Sequence, residues 1–111
     1  MTDPELRKEL RIILLRHIGR ERAIKAEALA EMFGYRDDRI IRKAIEELID
    51  DDLPVCSVTE SPAGYFIAGS REEAERYTKS LRRRAVLIFL RRKKVIRNAG
   101  LRVPAEQVRL L

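Results

Sequence analysis

Apolar residues return at helical intervals through the first half of the chain and then change to an extended pattern. Leu6, Leu10, Ile13, Leu14 and Ile18 repeat with the 3.6-residue period of one helix face. Asp3-Pro4 supplies a cap and an N1 proline in front of them, so a first helix is expected from there to Gly19. A second, from Lys25 to Gly34, carries Ala26, Leu29, Ala30 and Phe33 on one side. Gly34 sits where a residue without Cβ can take the left-handed turn that ends a helix. A turn over Tyr35 to Asp37 leads to a third helix, with Ile41, Ala44, Ile45 and Leu48 as its inward stripe. Its cap falls on Asp37 or Asp38. Val55-Cys-Ser-Val58 and Tyr65-Phe-Ile-Ala68 read as strands, and Thr59 to Gly64 contains the Ser-Pro-Ala-Gly turn of a hairpin.

Beyond the hairpin, Ser70-Arg-Glu-Glu73 is a capping box, and no breaker follows until about Asn98-Ala-Gly100. The implied helix has roughly 28 residues and would be about 42 Å long at 1.5 Å per residue. Its first half is amphipathic through Ala74, Tyr77, Leu81 and Ala85, but Val86-Leu-Ile-Phe-Leu90 is apolar on every side. One side is therefore expected on its own domain and another on a partner subunit. A homodimer with Tyr77, Leu81, Val86, Leu87, Phe89 and Leu90 at its interface follows. Pro104 could open a short closing helix, with a frayed tail over 99–111 as the alternative. The expected architecture is mainly α with one small β-hairpin. Its parts are a winged helix-turn-helix domain over 1–69, a long basic helix over 70–98 and the closing segment.

Charge sharpens this picture through its distribution. The formal net charge is +6 over 111 residues. Up to Leu53 there are eleven Lys or Arg against thirteen Asp or Glu, and beyond it thirteen against five. Residues 82–97 hold Arg82, Arg83, Arg84, Arg91, Arg92, Lys93, Lys94 and Arg97 with no acid among them, the pattern of a polyanion footprint. The single cysteine rules out an intrachain disulfide. Met-Thr-Asp-Pro-Glu lacks the basic and apolar regions of a signal peptide, and the apolar run Ala85–Leu90 is too short to span a bilayer. A cytoplasmic protein without membrane association is expected.

The run Ala28-Leu-Ala-Glu-Met-Phe-Gly-Tyr resembles the small winged helix-turn-helix proteins of bacteriophages and prophages, as do Arg39-x-Ile-Arg-Lys-x-Ile-x-x-Leu, Leu53-Pro-Val-Cys-Ser and Gly64-Tyr-Phe-Ile-Ala. More distantly it is similar to the amino-terminal DNA-binding domain of biotin-repressor-type regulators. The resemblance covers about residues 6 to 80. It implies that the third helix enters the major groove, with Arg39, Arg42 and Lys43 facing bases, and that the Gly-Tyr pair closes the wing. Phosphate contacts are then expected from Arg36, Arg82, Arg83, Arg84, Arg91, Arg92, Lys93 and Lys94. Two departures stand out. The wing turn has no Lys or Arg and does have Glu60, and the third helix ends in Glu46, Glu47, Asp50, Asp51 and Asp52, which phosphates repel.

Plainer roles compete at each position. Arg39, Arg42 and Lys43 could be an ordinary solvated helix face balanced against Glu46 and Glu47 at i+4. His17 has no second His or paired Cys nearby, which argues against a metal site, and Cys56 on a predicted strand suits packing better than catalysis. With no phosphate loop, nucleophile elbow or carboxylate pair, no enzyme, cofactor or small-molecule ligand is expected. The reading is a dimeric, sequence-preferring double-stranded DNA-binding regulator of transcription or replication, of phage or mobile-element type. The alternative, favoured by the acidic half of the third helix, is an assembly module of a nucleoprotein or DNA-packaging complex that does not read sequence.

Overall fold

The computed structural model describes residues 2–100. The order of elements is α1 (Asp3–Leu14), a 3-10 turn (Arg20–Arg22), α2 (Ala26–Met32), α3 (Arg39–Asp50), β1 (Val55–Val58), β2 (Gly64–Ile67) and α4 (Arg71–Asn98). The protein is thus mainly helical, with one small antiparallel hairpin. It divides into two units, one up to Tyr77 and one from Thr78 onward. The closing segment from Leu101, on which the tail or short-helix expectation falls, lies outside the described residues.

Thr2, not Asp3, caps α1: its hydroxyl accepts the Glu5 N–H at 3.3 Å, while Asp3 and Glu5 favour the positive end of the helix. Leu6, Leu10 and Leu14 are buried on one face. The helix stops at Leu14, short of the expected Gly19, because the chain beyond it is claimed by β2. Gly19 N–H donates to the Ile67 carbonyl and Ile67 N–H to the His17 carbonyl, each at 2.8 Å. Ile18 therefore lies in a parallel bridge beside Ile67. Farther along the same edge, Ile24 and Tyr65 exchange two hydrogen bonds of 2.8 and 2.7 Å. Without these partners the edge of a two-stranded sheet would leave its backbone groups unpaired.

Gly34, at φ +77°, ends α2 as expected. The Tyr35 N–H returns to the Ala30 carbonyl at 2.9 Å. In α3 the cap ambiguity resolves into a division of labour. Asp38 is the residue at the cap, but the Asp37 carboxylate accepts the Arg39 N–H at 3.0 Å. Ile41, Ala44, Ile45 and Leu48 are buried. They join Leu6, Leu10, Leu14, Leu29, Val55 and Ile67 in one core. The strands pair Val55 with Ile67 and Val58 with Gly64, so β2 begins one residue before the expected Tyr65. Cys56 and Phe66, paired across the ladder, are buried outside that core.

Helix α4 has the expected extent. The Ser70 hydroxyl accepts the Glu73 N–H at 3.1 Å, and the Glu73 carboxylate reaches back to the Gly69 N–H, one residue before its partner in an ideal capping box. Ala74 and Tyr77 are half-buried, as amphipathicity predicts. From Thr78 to Val95 every residue is exposed, the apolar run Val86–Leu90 included. No described helix is long and apolar enough to cross a membrane.

Candidate nucleic-acid interface

With the apolar stripe of α3 turned into the core, the 3.6-residue period places Arg39, Arg42 and Lys43 on the outer side of its first two turns. All three are exposed, and among the described residues no ion pair involves Arg39 or Lys43. Arg36 is likewise exposed, in the connection between α2 and α3. Farther along the same helix side come Glu46 and Asp50, so the cationic strip is confined to the amino-terminal half.

Arg42 differs from its neighbours. Its Nε donates to Asp38 Oδ2 at 3.0 Å, one terminal nitrogen lies 2.9 Å from the same oxygen and 3.7 Å from Glu27 Oε1, and the other donates to the Tyr65 hydroxyl at 3.0 Å. The hydrogen bond from Arg42 holds the Asp38 carboxyl below the usual carboxylate range. The same bond, with a contribution from Tyr65, pushes the guanidinium up. Arg42 thus fastens α2, α3 and β2 together, using an i−4 partner in place of the i+4 Glu46. Glu47 is taken as well, by Arg7 of α1. No local pattern in the sequence pointed to Tyr65 or Glu27 as partners of Arg42.

The hairpin also gains a cation that sequence reading missed. Arg20, from the 3-10 turn, donates to the Glu60 carbonyl at 2.8 Å and to the Pro62 carbonyl. A guanidinium therefore sits against a turn that has no Lys or Arg of its own. The hydrogen bonds of His17, Gly19 and Ile24 to β2, between residues far apart in the sequence, bring it there.

Beside α3, Asp3, Arg7, Tyr35, Ile40, Lys43 and Glu47 line a groove of about 280 Å³. Its rim carries both signs of charge, which gives it no preference for an anion. His17 donates from Nδ1 to the Arg22 carbonyl at 2.8 Å, fixing the 3-10 turn. Burial pushes the Cys56 thiol up to about 11, so it stays protonated at neutral pH. Among the described residues no group of three His, Cys, Asp or Glu is placed to hold a metal ion.

In the second unit Arg82, Arg83, Arg84, Arg91, Arg92, Lys93 and Lys94 are all exposed, and Lys93 Nζ stands 5.0 Å from the Phe89 ring centre. Of the expected interface residues, Leu81, Val86, Leu87, Phe89 and Leu90 are exposed here. Tyr77 is not, and its hydroxyl is 3.3 Å from Ser57 Oγ of the same chain.

Comparison with known proteins found no matching family model, curated sequence or solved structure.

Proposed function

We propose that the chain is a winged helix-turn-helix protein of the kind phages and prophages encode, and that it binds double-stranded DNA in the cytoplasm as a dimeric regulator. The observation that carries this reading is the outward placement of Arg39 and Lys43, free of described ion pairs, on the first two turns of α3, which this reading takes as the second helix of a helix-turn-helix unit. That is where such helices meet base edges. Arg42, on the same outer side, supports this surface by holding the hairpin to α3, and it reads a base only by giving up Asp38 and Tyr65. Arg36 and the cations of residues 82–94 supply phosphate contacts, and two copies favour an inverted repeat. The chain acts by binding and performs no catalysis.

A second reading is an assembly module that holds a nucleoprotein complex together without reading sequence. The acidic end of α3, Glu46 to Asp52, favours it, because it keeps DNA from the carboxy-terminal half of the helix. Selection of bound sites from a random duplex pool, followed by competition with unselected DNA, separates the two. A regulator yields a defined site bound about a thousandfold or more above random DNA. Enrichment of no site, with equal competition by any duplex, gives the role to the assembly module.

A further inference from the structure

Residues 78–98 of α4 combine two features that oppose each other. Thr78, Leu81, Ala85, Ile88, Arg92 and Val95 follow one another at alternating intervals of three and four residues, the spacing of a coiled-coil seam. Ile88 is 64% exposed and Val95 60%, and the neighbouring Phe89 is also open, so the seam positions from Leu81 to Val95 are exposed in a single copy. Yet the stretch carries nine Lys or Arg and not one Asp or Glu. A typical seam is flanked by charges of both signs that attract across the pair, whereas here the flanking Arg82, Arg84 and Arg91 are all cationic.

Orientation offers no escape. Side by side and parallel, Arg92 faces its own copy in the seam. Antiparallel about Ile88, the cluster 82–84 of one helix meets 92–94 of the other. The apolar centre drives two copies together and the charge drives them apart.

We propose that α4 is a self-association element gated by polyanions. Two copies pair along Leu81 to Val95 only when an anionic polymer neutralises the clusters at 82–84 and 91–94. This rests on the reading of the protein as a DNA binder in naming duplex DNA as that polymer. The gate itself requires only the charge pattern. Its consequence is that the protein assembles on nucleic acid and not before it, so loading is cooperative.

Sedimentation equilibrium on the full chain tests the proposal. At low salt the wild type is monomeric at micromolar concentration. Sodium chloride near 1 M, where the screening length is about 3 Å, produces a dimer and lowers the dissociation constant at least tenfold. Heparin and a short DNA duplex do the same at low salt. Replacing the first cluster (Arg82→Gln, Arg83→Gln, Arg84→Gln) gives a dimer at low salt with no polymer. Ile88→Asp, at an exposed position, keeps the circular dichroism of the wild type and binds the duplex without cooperativity, and stays monomeric throughout. A dimer that forms at low salt and weakens as salt rises overturns the gate, since it places the basic helix on an acidic surface. Monomers in every arm overturn it too, and capture by anionic lipid vesicles in that case assigns the apolar run to a lipid surface. If salt and heparin produce the dimer but the duplex does not, the gate stands and the DNA reading falls.

Discussion

Gly64 is where a single residue decides whether the hairpin can join the helices. Its φ is +131°, and a Cβ there would stand 2.2 Å from the Ile24 carbonyl oxygen, which is backbone and cannot swing away. The two hydrogen bonds between Ile24 and Tyr65 depend on that approach. Gly64→Ala combines a disfavoured backbone conformation with a hard overlap, and is expected to cost about 3 kcal/mol or more. At Gly34 only the conformational part applies, since an added Cβ meets nothing within 4 Å, so Gly34→Ala should cost about 1 kcal/mol. Denaturant melts of the two variants check the ranking. Arg42 gives a second prediction at this scale. The Asp38 carboxyl, held low by its hydrogen bond from Arg42, stabilises the fold above the ordinary carboxylate pKa. That contribution disappears as pH falls through the lowered value. Below about pH 4 the thermal midpoint of the wild type should fall more steeply than that of Arg42→Gln, and parallel curves would show that the pair adds nothing.

At the scale of elements, the buried stripe of α3 makes the sharpest claim, because Ile45 is 1% exposed at the centre of the core. Ile45→Ala should destabilise by roughly 2 to 5 kcal/mol, and an unchanged thermal midpoint would mean the helix faces are assigned wrongly. Legibility in the sequence followed the range of the interaction. The stripes of α2 and α3, the Gly34 stop and the Ser70 cap all depend on neighbours within four residues, and periodicity or a cap residue reveals them. The helical repeat of the sequence runs on to Ile18, four residues beyond the end of α1 at Leu14. Ile18 fits the helical repeat, and only its bridge to Ile67, 49 positions away, overrides that repeat. Candidate site residues behaved in the same way. The outward face of Arg39 and Lys43 followed from the inward stripe. The ties of Arg42 to Glu27 and Tyr65, and of Arg20 to the hairpin turn, exist only once the chain has folded.

Over the whole molecule, the charge is divided along the sequence as sharply as the structure is. Up to Tyr77 there are thirteen Lys or Arg against seventeen Asp or Glu, while from Thr78 onward there are eleven against one. The first unit, taken alone, has no general attraction for a polyanion, so any affinity of its α3 face must come from specific contacts. On the proposed reading the basic unit contributes phosphate contacts that do not depend on sequence. This separation makes the two classes of contact distinguishable by titration at several salt concentrations. Arg39→Ala should lose about 1 to 3 kcal/mol on a selected site and much less on random duplex, leaving the salt dependence nearly unchanged if its contact is to a base edge. Arg83→Ala and Arg92→Ala should weaken selected and random DNA alike, and each lost phosphate contact should flatten the slope of log affinity against log salt by about 0.9. These two variants also reduce the repulsion between paired α4 helices, so part of the loss should be recovered as easier self-association. The comparison is therefore made on a half-site duplex that holds one copy. If Arg39→Ala behaves like the α4 variants on that duplex, the α3 face is acting as one more cationic patch, and the assembly reading moves ahead of the regulator.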